Sequence, residues 1–145
     1  MKALSLRQPW AHAVLHLGKD IENRVWNTEF RGEFLIHASK GMTKGEYEDV
    51  LEYCASELQH AEVFPPFEQV PRGGFVGRAR LVDVIRPCVA KAGLFTSCPH
   101  RWHMPEQYGF VLQDIRPLRR LVPYLGSLGF FNVPDEVARE CGVYP

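Results

Sequence analysis

The chain has 145 residues, 46% of them hydrophobic and 23% charged, which suits one domain with a real core and not a disordered or membrane protein. Seventeen basic and seventeen acidic residues cancel, so the total charge does not announce a polyanionic partner. No apolar run approaches the roughly 20 residues that span a bilayer, and no basic leader with a cleavage signature is present, so the expectation is a cytoplasmic protein with no membrane partner.

Residues 2–6 alternate as a short strand, and Pro9 suits the first turn of a helix over 9–17 that stops at Gly18. Residues 20–26 place Ile21 and Val25 on one face and Glu22, Arg24 and Trp26 on the other, the period of two of a pleated strand. Arg31-Gly32 reads as a turn and 33–38 as the next strand. A helix over 43–60 is predicted from Tyr47, Val50, Leu51, Cys54 and Leu58, which recur at helical spacing with charges between them. That region is acidic: residues 43–68 hold seven acids and one base, leaving sixteen bases and ten acids elsewhere. A basic cleft beside an acidic helix and an ordinary solvated surface both remain open on charge alone.

Pro65, Pro66, Pro71 and Gly73-Gly74 make 61–74 a loop. Residues 75–85 then alternate with one phase slip, which predicts a long strand with a bulge or bend of the kind that turns a barrel corner. An irregular stretch over 87–107 leads to two closing strands, 108–114 and 119–124, and a last helix over 133–141 with Asn132 as its N-cap. Short strands with one helix after the first and another inserted between later ones predict an α+β fold: a β-barrel of about five to seven strands with peripheral helices.

Ser5-Leu6-Arg7-Gln8-Pro9-Trp10-Ala11, Gly18-Lys19, Ile21-Glu22-Asn23-Arg24 with Trp26, Arg31-Gly32 and His37-Ala38-Ser39-Lys40 follow one another in order. Gly77, then Tyr108-Gly109-Phe110-Val111-Leu112, then the segment 126–134 continue the series. In these motifs the chain resembles ASCH-domain proteins over nearly its whole length. The resemblance implies a single PUA-like barrel domain over 1–145 that binds RNA or a modified nucleoside or nucleotide. It also implies, as an alternative, the hydrolase activities of some bacterial members, an amidohydrolase acting on N-acylated cytidine or a single-strand ribonuclease.

Glu22, Arg24 and Trp26 on one strand face would offer a nucleobase a carboxylate for its amino edge, a guanidinium and a stacking plane. A cross-strand ion pair beside a packing tryptophan is the structural alternative. The amidohydrolase pattern Gly-x-Lys-x-Ile-x-x-Arg can be laid on this segment if one residue is dropped after Gly18, and the resemblance then implies Lys19 as nucleophile or base, with Glu22 beside it. The threonine of that branch falls on Glu22, and its later glutamate has only a loose counterpart in Glu106. Lys19 can act in this way only if burial or a neighbouring cation lowers its pKa, and an ordinary surface lysine is the alternative.

His37, Ser39 and Lys40 end a strand, where Ser39 and Lys40 suit a phosphate contact and His37 suits either acid–base chemistry or a structural hydrogen bond. Trp102, with Arg101 in the irregular loop, suits either a lid over a base or a satellite core under that loop, and Tyr108 after it is a further expected ligand contact. Arg116, Arg119 and Arg120 read as a phosphate track or as a solvated strand end. Cys54, Cys88, Cys98 and Cys141 form no CxxC pair and are expected as reduced thiols. His12 with His16, and Cys88, Cys98, His100 and His103, are metal-ligand types, but no metal and no cofactor are expected. The functional expectation is a basic cleft between barrel and helices, on which Lys19, Glu22, Arg24, Trp26, Ser39 and Lys40 converge.

Overall fold

The computed structural model describes residues 1–58, 64–88 and 98–143. Its strands are β1 (Lys2–Leu6), β2 (Ile21–Arg24), β3 (Gly32–Ala38), β4 (Gly74–Ile85), β5 (Tyr108–Pro123) and β6 (Phe130–Asn132), and its helices are α1 (Trp10–His16), α2 (Lys44–Tyr53) and α3 (Asp135–Glu140). The strands form one mixed sheet in the order β2-β5-β4-β3-β1-β6. Only β1 and β3 run parallel, because α1 and β2 carry the chain across between them.

The sheet is curled into a half-barrel. In a flat sheet β2 would lie four strand spacings, about 19 Å, from β1. Instead Arg24 on β2 donates from its guanidinium to the Ser5 carbonyl of β1 at 2.6 Å. Trp26, just past β2, packs edge-on against Phe130 of the opposite edge strand with ring centroids 6.0 Å apart. Side chains thus bridge the two sheet edges where backbone hydrogen bonds do not. Inside the curl, Leu4, Leu6, Phe34, Ile36, Phe110 and Leu112 are buried with Ala11 and Val14 of α1. Burying each large side chain of this set contributes about 1.5–3 kcal/mol.

Local chemistry sets the helices that frame the site. Gln8, itself buried, accepts a hydrogen bond from the His12 amide and donates to the Pro71 carbonyl, so a side chain just ahead of α1 satisfies one of its free amide donors. Leu15 of α1 packs over Gly77 of β4, where a Cβ would also lie 2.9 Å from the Arg116 carbonyl. Only a glycine admits that approach. Thr43 and Glu46 close a capping box at the start of α2, which buries Val50 and, just beyond its end, Cys54 against Ile21 and Trp102.

Several sequence expectations need correction. The strand expected over 20–26 ends at Arg24, and Val25 is exposed. The two closing strands are one 16-residue strand, β5, whose irregular pairing with β4 and positive φ of 51° at Asp114 allow it to bend without breaking. The helix expected over 43–60 is α2 followed by a π-helical turn, Cys54–Leu58, and its last two residues lie outside the described ones. Asn132 does not cap the last helix; it ends β6 opposite Lys2, and Pro134 precedes α3. Cys88 and Cys98, expected as free thiols, are joined in a disulfide, whereas Cys54 and Cys141 are free and buried. Pairing depends on Cα approach, here 5.8 Å, which ten residues of sequence separation do not reveal.

Candidate functional site

Lys19 follows Gly18, whose φ of +75° turns the chain sharply out of α1, and its amide bonds back to the Ala13 carbonyl. The residue is 2% exposed. Its ammonium donates to the Ile21 carbonyl, stands 3.6 Å from Glu22 Oε2 and lies 5.3 Å from the Trp10 ring centre. Glu22 Oε1 in turn is 3.3 Å from Arg24 Nε. Burial pushes the Lys19 pKa below its ordinary value; the Glu22 charge opposes that shift, and Arg24 adds to it. Glu22 Oε2 and Arg24 Nε are buried without a hydrogen-bond partner among the described residues. Three charges desolvated together cost stability unless they are well paired, and this trio retains unused hydrogen-bonding capacity.

The other expected site residues are more dispersed. Trp26 approaches Arg24, with the guanidinium carbon 5.9 Å from the ring centre, but its ring packs on Phe110 and Phe130 in the main core. His37 is buried and both ring nitrogens are engaged: Nε2 donates to the Tyr124 carbonyl at 2.7 Å and Nδ1 accepts from Ser5 Oγ at 2.9 Å. Ser39 bonds through its amide to Leu6, and Lys40 is exposed beside Gly73; no described cavity joins them to Lys19. Trp102 is buried with Ile21, Val50 and Cys54, and Asn23 of β2 holds its loop by donating to the Trp102 carbonyl and accepting from the Met104 amide. Tyr108 lines a separate cavity of about 390 Å³ with Asn27, Thr28, Arg31 and Arg86.

Three further cavities share lining residues in series, and α1 borders the first two. The first, about 300 Å³, is lined by Arg7, Gln8, Trp10, Glu46, Asp49, Tyr53 and Met104, and Trp10 and Tyr53 meet edge to face 5.9 Å apart. Gln8 also lines the second, about 160 Å³, together with His12, His16, Arg119 and Arg120. Pro117, Leu118, Arg119 and Arg120 are shared with the third, about 560 Å³, to which Arg78 and Arg116 add charge and Glu140 is the one acidic lining residue. Arg116, Arg119 and Arg120 are exposed and make no ion pair with any described residue.

The family model of the ASCH domain matches residues 4–119. The chain belongs to the ASCH domain family. No curated protein matches it. The matched span runs from β1 into β5 and so holds the Lys19 cluster and the aromatic cavity, and the PUA-like character of ASCH domains agrees with the curled sheet. Among the described residues, no helix of this ASCH domain is long and apolar enough to cross a membrane.

Sequence reasoning passed over Gln8, Trp10, Tyr53 and Met104 as site residues. Gln8 and Trp10 stand inside the quoted Ser5–Ala11 motif, but a residue on a short helix gives no sign of whether it faces the barrel or a cavity. Tyr53 lies on α2 at the end of a largely acidic run, and only the docking of α2 against α1 brings it to Trp10.

Proposed function

We propose that this ASCH domain binds single-stranded RNA, or a nucleotide from it, along the face of α1. One nucleobase enters the Trp10–Tyr53 cavity and the adjoining phosphates follow Arg119, Arg120 and Arg116. The observation that carries this reading is the series of three cavities that share lining residues, Gln8 between the first two and Pro117 to Arg120 between the last two, aromatic at one end and arginine-lined at the other. Nucleic-acid grooves combine the same two elements, stacking planes and a cationic track. The chain as a whole is neutral, so the attraction is local to this groove.

The test is binding of a labelled single-stranded oligoribonucleotide measured across a range of salt. Replacing Arg119 and Arg120 by Ala should weaken binding evenly across sequences and flatten the salt slope by about 1.4, at roughly 0.7 per phosphate contact. Trp10→Ala should cost about 1–3 kcal/mol for the lost stacking and leave the slope nearly unchanged. Parent-like binding by the arginine variants would remove the track from consideration.

A second reading, hydrolysis of an acyl group on cytidine, draws support from one observation: Lys19 is buried beside Glu22 with a lowered pKa. In its neutral form Lys19 can take a proton from water as that water adds to the acyl carbonyl; the lysine then returns this proton to the departing exocyclic nitrogen, so that cytidine leaves with a neutral amino group and the acyl group leaves as a carboxylate, its remaining proton passing to solvent. Lys19 lies behind Trp10 and lines none of the described cavities, so this reading requires the Trp10 side chain to move. Incubation with N-acylated cytidine separates the two readings. Turnover lost in Lys19→Ala with binding retained favours the enzyme, and no turnover in the parent leaves the binding reading alone.

A further inference from the structure

The loop ahead of β5 carries a cluster that RNA binding does not use. Cys88, Cys98 and His103 bring one ligand atom each, two sulfurs and an imidazole nitrogen, within 4.8 Å of one another. Cys88 Sγ is 3.5 Å from His103 Nδ1, and His103 Nε2 donates to the Gln107 carbonyl at 2.6 Å. That donation keeps the proton on Nε2 and turns the Nδ1 lone pair toward the sulfurs, the tautomer and the supporting bond that metal-binding histidines use.

The imidazole is placed by packing as well as by its neighbours. It is buried, and a Cβ on Gly109 would come within 3.0 Å of its Cδ2. The Glu106 amide bonds the Cys88 carbonyl at 3.0 Å, and Asn23 holds both flanks of His103 through Trp102 and Met104. The positions of Cys88 and His103 therefore do not depend on the disulfide alone.

We propose that in the reduced chain Cys88, Cys98 and His103 bind one Zn²⁺ ion with a water in the fourth position, and that the disulfide is the metal-free, oxidised form of the same site. Two thiolates and an imidazole are a zinc donor set, too soft for magnesium or calcium. A dithiol reductant supplies two electrons and two protons to the disulfide, giving two thiols and its own disulfide. Zinc then displaces the two thiol protons to solvent as both sulfurs ligate it. Either form ties Cys88 to the loop beside β2.

The full chain is reduced with a phosphine under anaerobic conditions, given zinc, desalted and analysed for metal. The expected result is one zinc per chain, two protons released on loading, and thiolate-to-metal charge-transfer absorption when Co²⁺ replaces zinc. Cys88→Ser and Cys98→Ser should each abolish that absorption, and His103→Gln should weaken zinc by about tenfold or more. Cys54→Ser should change neither stoichiometry nor spectrum. A reduced parent that keeps no more zinc than the Cys88→Ser, Cys98→Ser double variant overturns the proposal, as does a Co²⁺ complex of the parent without thiolate absorption, which needs no variant to fold.

Discussion

Among the described residues Glu22 is the carboxylate within ion-pair reach of both Lys19 and Arg24, so the two cations are tolerated only while it stays charged. Glu22→Gln should therefore lower stability by about 3–5 kcal/mol, read from urea denaturation. Lys19→Met keeps the Glu22–Arg24 pair, removes a desolvated charge and should cost less. Because the folded pKa of Lys19 lies below its ordinary 10.5, the unfolded chain binds more protons between those two values. Its contribution to stability is fully present above 10.5 and is lost as pH falls through the folded pKa. Cys141 has the opposite sign: burial raises its thiol from 9.0 to about 11, so its contribution is present below 9 and is lost as pH rises toward 11. The stability difference between the parent and Cys141→Ala should shrink across that interval.

At the scale of elements, the close contact between α1 and β4 fixes where the groove runs. Gly77→Ala would drive a methyl into Leu15 and the Arg116 carbonyl, and should cost about 1–3 kcal/mol by overpacking. The same change should disturb RNA binding, because Arg116 borders the groove. The capping box of α2 gives an independent check: Thr43→Ala should lower thermal stability by an amount equivalent to about 1 kcal/mol and leave Gly77 packing untouched. The helical spacing of α2 was legible in Tyr47, Val50 and Cys54 because one stripe packs inward. The unity of β5 was not, since residues 115–118 contain a proline and alternate poorly, and it is pairing with β4 that keeps them extended.

For the whole molecule, the decisive feature is how the sheet edges meet. Trp26, expected as a stacking plane for a base, serves as an aromatic bridge between β2 and β6. Trp26→Ala should therefore lower stability by about 3 kcal/mol. Binding of RNA by the folded fraction at low temperature should change little, in contrast to Trp10→Ala. A Trp26→Ala chain that is as stable as the parent but has lost RNA would return this tryptophan to the ligand site.

The amino-acid sequence by itself determined the family, the α+β class, most strands and helices, and the proximity of Lys19, Glu22 and Arg24. Those features rest on local periodicity and on residues close together along the chain, which any fold of these segments must preserve. Tertiary structure alone decided that His37 is occupied by Ser5 and Tyr124, that Tyr53 faces Trp10, that Cys88 meets Cys98, and that Arg119 and Arg120 continue the cavity begun at Gln8. Each of these unites segments separated in sequence, and no local pattern encodes which side chains meet when a sheet curls until its edges touch.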